Sequence, residues 1–113
     1  MEQLPLLAPP TPREPVELAL VARNESMFRD GFREWLIDNF PVWRAFERLA
    51  VQVWNRGRTH YAAKTLVEVI RHETAIAEVD SDYKINNNFT ASLARLWALK
   101  HPNRADLFEF RGR

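Results

Sequence analysis

The chain has no cysteine. That excludes disulfide staples, thiolate nucleophiles and cysteine-type zinc sites, and it suits a reducing compartment. Glycine is scarce, with three in 113 residues, so a glycine-rich loop that cradles phosphates is not available. Long apolar runs are missing too, and no stretch approaches the ~20 residues that a membrane-spanning helix requires. Glu2 and Pro5 stand where a secretory leader would carry positive charge and then a continuous apolar stretch. The expectation is a cytoplasmic protein with no membrane partner. The histidines are His60, His72 and His101, and no two are four residues apart. A helical pair of metal-ligating histidines cannot be built from them, and neither a metal nor a cofactor is expected.

What is present is a real core. Apolar residues make up 46% of the chain and aromatics 12%. Trp35, Trp43, Trp54 and Trp97 supply large burial per residue. The net charge of +1 conceals a split. Residues 1–41 carry four Arg against seven Asp and Glu, whereas residues 42–113 carry twelve Lys and Arg against eight. A mildly basic domain therefore follows an acidic front, which points weakly to an anionic partner.

Residues 1–14 contain Pro5, Pro9, Pro10 and Pro12. Proline lacks a backbone donor and holds its predecessor extended, so this stretch reads as a proline-rich arm that is extended or disordered. Residues 15–113 read as a single helical domain. Pro15 to Ala22 is a short helix with proline at its start. Asn24 is a candidate cap for a helix carrying Phe28, Phe32, Trp35, Leu36 and Asn39 on one face, ended or kinked by Pro41. Val42 to Asn55 is a second strong helix, with Gly57 placed for a left-handed cap. Thr59 is a candidate cap for a third, Tyr61 to Ala77. Tyr83–Ile85 alternates like a strand, Asn86 to Asn88 makes a turn, and Thr90 caps a helix whose core side is Phe89, Leu93, Leu96 and Trp97. Pro102 stops that helix, and Leu107–Phe110 alternates again. The fold expected is mainly α: a compact bundle of about four to five helices with a two-stranded antiparallel ribbon, Tyr83–Ile85 with Leu107–Phe110, in a winged-helix-like arrangement.

Five strings carry a resemblance: Tyr61–Thr74 (YAAKTLVEVIRHET), Tyr83–Asn88 (YKINNN), Ala94-Arg95-Leu96, His101-Pro102 and Leu107–Arg111 (LFEFR). Together they resemble a family of small phage and prophage proteins over about residues 24–111. The asparagine run followed by the Ala-Arg-Leu helix is the most specific part. The resemblance implies a viral or prophage context, in the cytoplasm of an infected or lysogenic bacterial host, and it implies no particular activity.

Arg56, Arg58 and Lys64 flank the start of the third helix, and Lys84 and Arg95 flank the asparagine run; all five are candidates for phosphate contact. Asn87 and Asn88 can read adenine edges in a major groove, or fold back onto the backbone as turn residues. The competing account of the basic residues is a solvated face with internal pairing such as Arg71 with Glu68. Glu68, His72 and Glu73, with Asp80 and Asp82, are the densest acid–base set. They lie on a helix and the turn after it with no nucleophile beside them, so an enzyme is the least favoured class. The leading expectation is a small phage or prophage protein that binds double-stranded DNA through a helix-turn-helix-like module. The alternative is a protein–protein interaction factor without catalytic activity, either an inhibitor of a host or defence protein or a virion assembly component.

Overall fold

The structure, a computed structural model, describes residues 14–57, 60–77 and 87–108, with the backbone alone at 74–77 and 87. Helix α1 is Val16–Arg23, entered from Pro15 and burying Leu18 and Val21. Asn24 does not open the next helix. Its side-chain amide donates to the Leu20 carbonyl at 2.8 Å and closes α1 instead. The expected continuous helix from Asn24 to Asn39 is broken in the middle. A 3-10 turn, Glu25–Met27, gives way to extended backbone at Phe28, and Gly31 follows with φ 87°. That left-handed conformation costs an L-residue about 1–2 kcal/mol and suits glycine. Helix α2, Phe32–Asp38, begins only after it.

Asn39 repeats the device seen at Asn24, its amide donating to the Trp35 carbonyl at 2.9 Å. Helix α3, Phe40–Asn55, then starts with Pro41 in its first turn, where a missing N–H costs nothing. It buries Val42, Trp43, Phe46 and Ala50. Gly57 ends the stretch at φ 82°, as expected. Helix α4 is Ala63–Ala77, two residues shorter at its start than the periodicity suggests. The expected cap Thr59 lies outside the described residues. Helix α5, Thr90–Lys100, buries Ser92, Leu93, Ala94, Leu96 and Trp97. Thr90 is its first helical residue and makes no capping bond; Phe89 occupies the cap position.

The ribbon and the winged-helix arrangement are not found: among the described residues there is no strand. Leu107 closes a 3-10 segment, Pro102–Leu107. Phe108 makes a single parallel bridge to Tyr61, not an antiparallel pair, and the Tyr61 amide donates to the Leu107 carbonyl. Tyr83–Ile85, Glu109 and Phe110 lie outside the described residues. The physical reason is visible at Leu107 and Phe108, which are both buried. In a half-exposed strand neighbouring side chains point to opposite faces, so two adjacent buried residues call for an irregular entry into the core.

Helix α5 is the centre of the assembly and packs on α1, α3, α4 and the C-terminal 3-10 segment. Helices α3 and α4 form an antiparallel pair, with Arg48 on one 3.7 Å from Glu73 on the other. Two aromatic clusters fill the core. Phe28, Phe32, Trp35 and Phe89 stack where α2 meets the start of α5. Trp43, Phe46, Phe108 and Trp97 pack at its other end. No helix among the described residues is long and apolar enough to cross a membrane.

Candidate functional site

The second aromatic cluster carries a chain of charges. Glu17 on α1 is 6% exposed. Its Oε2 accepts the Trp43 indole N–H at 2.9 Å and the Lys100 ammonium at 2.6 Å. Lys100 also reaches Glu47 Oε2 on α3 at 2.8 Å. The same Glu47 oxygen lies 2.7 Å from His101 Nε2, and the His101 ring stacks on Trp97 with centroids 4.1 Å apart. Glu17, Lys100, Glu47 and His101 thus tie α1, α3 and the end of α5 together. Burial acts to raise the Glu17 pKa, but the bonds from Lys100 and Trp43 and the Lys100 charge outweigh it and hold the carboxyl below its ordinary value. Burial acts to lower Lys100, and its bonds to Glu17 and Glu47 outweigh that and raise it. Both shifts favour the ionised pair.

Glu47 joins this network to the surface. It is one wall of a shallow trough of about 840 Å³ that follows α3 and is otherwise lined by Phe40, Pro41, Arg44, Ala45, Arg48, Val51 and Gln52. Phe40, Ala45 and Val51 are half-buried and pack on the core from outside, so the trough has a mainly apolar floor. Arg44 and Arg48 are exposed beside it. The Arg44 guanidinium lies 5.3 Å from the Phe40 ring centroid and has no carboxylate partner among the described residues. The trough sits on a helix whose inner flank is pinned by Lys100 and His101. A second hollow of about 340 Å³ before α2 carries Arg29, Arg33, Asp30 and Glu34 together and shows no single sign of charge.

The residues expected to contact nucleic acid are dispersed. Arg56 and Lys64 are exposed. They lie at the turn between α3 and α4, at the end of the molecule where Arg104 covers Trp54 and Tyr61 meets Phe108. Asn88 is exposed at the opposite end of α5, a helix of 11 residues and hence about 16 Å long. Arg95 turns from the middle of α5 to the Met27 carbonyl at 3.4 Å. Ser92, near the start of α5, is buried and accepts the Arg29 amide at 3.2 Å. Arg58, Lys84 and the side chain of Asn87 lie outside the described residues. The described members therefore do not make one continuous strip.

Of the acid–base set, Glu68, His72 and Glu73 are exposed. Arg71 Nη1 is 2.9 Å from Glu68 Oε2, the internal pairing anticipated from their spacing. Asp80 and Asp82 lie outside the described residues. Among the described residues no three His, Asp or Glu side chains are grouped to hold a metal ion.

Sequence reasoning missed the network, although two signals pointed to it. Glu17 interrupts an apolar run, PVELALVA, and shares a face with Val21. Lys100 falls three and four residues after Trp97 and Leu96, on their buried stripe. A charge on an apolar stripe is a request for a buried partner. No protein-family model matches the chain, and comparison with curated proteins and with solved structures finds no match.

Proposed function

We propose that this protein is a protein–protein interaction factor that works through the outer face of α3 and catalyses no reaction. The observation that supports the reading is the apolar trough along α3, floored by Phe40, Ala45 and Val51 and set on a helix tied to α1 and the end of α5 by the Glu17–Lys100–Glu47–His101 network. Rigid elements with an apolar floor and polar rims are the usual platforms for a partner segment. A phage or prophage setting, with a host or defence protein or a virion component as the partner, belongs to this proposal and draws on the sequence resemblance alone.

The test is capture from bacterial extract on the immobilised full chain, compared with two variants. Val51→Glu places a charge in the trough; Val69→Glu changes an exposed apolar residue on α4. The captured partner is expected to fall about tenfold or more with Val51→Glu, a loss of about 1.4 kcal/mol or more, and to persist with Val69→Glu. Thermal melting checks that both variants fold. Equal capture by both variants, or none by the unaltered chain, would sink the reading.

Duplex DNA binding is a second reading, supported by the exposed Arg56 and Lys64 at the α3–α4 turn and by the basic balance of residues 42–113. With no strand among the described residues to form a wing, it would be non-specific phosphate contact. Retention of random duplex at ~10 µM protein and low salt, lost in an Arg56→Glu, Lys64→Glu double variant, would move the assignment to DNA.

A further inference from the structure

We infer that the α3 trough takes an acidic segment with apolar anchors, a Glu- or Asp-bearing peptide carrying Leu, Ile or Phe, from another protein. This rests on the reading of α3 as a docking face and names the chemistry that the face selects. Charge complementarity selects this occupant. Three ionised side chains border the trough: Arg44, Glu47 and Arg48. The carboxylate among them is engaged inward: Glu47 Oε2 accepts Lys100, a cation it shares with Glu17, at 2.8 Å and lies 2.7 Å from His101 Nε2. Both arginines are exposed. Among the described residues Arg48 is held only by a long 3.7 Å pair to Glu73, both side chains being more than half exposed. Arg44 rests on the Phe40 ring at 5.3 Å and has no carboxylate partner among the described residues.

Arg44 and Arg48 are one turn apart on the same face, about 6 Å in rise. That spacing matches carboxylates on neighbouring turns of a bound helix, or on alternate residues of an extended peptide. An exposed guanidinium offers its N–H edge to a carboxylate, which takes it with two parallel hydrogen bonds. The apolar floor of Phe40, Ala45 and Val51 supplies the anchoring contacts that a purely ionic partner would not use. A basic partner would meet two like charges, and a neutral one would leave both guanidiniums without a bidentate acceptor.

The probe is a random peptide library displayed on phage and selected on the immobilised full chain, with an Arg44→Glu, Arg48→Glu double variant beside it. Both arginines are exposed, so the double variant is expected to fold, and its melting curve verifies this. Enriched peptides should carry Asp or Glu together with Leu, Ile or Phe, and should lose the double variant. A synthetic copy of the leading peptide should bind at least about tenfold more weakly when its Glu and Asp are changed to Gln and Asn. Enriched peptides that are neutral or basic and depend on Val51 would overturn this inference and leave the docking reading standing. No enrichment that depends on either Val51 or the arginines would overturn both. Self-association of the chain through α3 in place of peptide binding, or tighter peptide binding after removal of residues 1–13, would assign the trough to a second copy or to the chain's own arm and would likewise overturn the inference.

Discussion

Trp97→Ala is expected to destabilise the protein by about 4 kcal/mol, within the range for emptying a fully buried tryptophan site. Trp97 is 0% exposed and holds three neighbours at once. Its indole N–H donates to the Arg104 carbonyl at 2.9 Å. The ring carries His101 in a 4.1 Å stack and meets the Phe108 edge at 6.1 Å. Alanine leaves a cavity, an unsatisfied carbonyl in the C-terminal 3-10 segment and an unsupported His101. Trp97→Phe keeps most of the packing and loses the donor, so it should cost roughly 2 kcal/mol. Trp54→Ala, at a partly exposed position, should cost about 1–2 kcal/mol. Urea unfolding followed by circular dichroism gives all three. A Trp97→Ala cost no larger than that of Trp54→Ala would show that the core is not organised around the end of α5.

Lys100→Met keeps the side-chain length and removes the charge. It leaves Glu17 buried with the Trp43 N–H as its remaining side-chain donor, and Glu47 with His101. The expected loss is about 3 kcal/mol at neutral pH, because breaking a buried pair strands a charge, and the melting temperature should fall by roughly 12–20 °C. Glu17→Gln in the Lys100→Met background removes the stranded charge and should restore at least about half of the loss, since deleting both charges costs less than deleting one. The pH dependence has a sign that separates this from ordinary packing damage. In the natural protein the Glu17 pKa is lowered, so its stabilisation is complete above the unfolded value of ~4.3 and is lost as pH falls through the lower folded value. The Lys100 pKa is raised, so its contribution is complete below the unfolded value of ~10.4 and is lost as pH rises through the higher folded value. The Glu17–Lys100 pair is therefore at full strength from about pH 5 to pH 10. In Lys100→Met burial acts on Glu17 without its counter-charge and pushes its pKa up, so the deficit should shrink as pH drops toward 5. A deficit that is constant between pH 5 and pH 8 would contradict the buried-charge account.

The helices were legible wherever one apolar stripe settled their burial. In α3 the spacing of Val42, Phe46, Leu49, Ala50, Val53 and Trp54 marks the inner face, and those residues are buried or packed against the core. Trp43 and Trp97 were rightly read as core. Breaks were harder to see. Phe28, Phe32 and Trp35 keep helical spacing through Gly31 even though the backbone leaves the helix there, because a left-handed residue and an extended one can return the chain to the same face. The C-terminal pattern Leu107-Phe108-Glu109-Phe110 alternates too briefly to distinguish a strand from an irregular segment that buries two neighbours. The charge network was illegible as a network because its members are 30, 53 and 1 residues apart in sequence: Glu17, Glu47, Lys100 and His101. Only the packing of α1 and α3 against the end of α5 brings them together. Glu17 reads locally as a first-turn acid and Lys100 as a last-turn base, each favoured by the helix dipole, and that sufficient local account hides the tertiary one. The trough was equally hidden, since the residues on the outer face of α3 read as solvated until the inner face is fixed.

The central claim is that the outer face of α3 is where this protein meets its partner. Photo-crosslinking in bacterial cells tests it most directly, with a photoreactive amino acid placed at Gln52 in the trough and, separately, at Glu68 on the exposed face of α4. The account predicts a discrete crosslinked protein product from position 52, abolished by Val51→Glu, and none from position 68. A product from position 68 alone, or none from either, would contradict it.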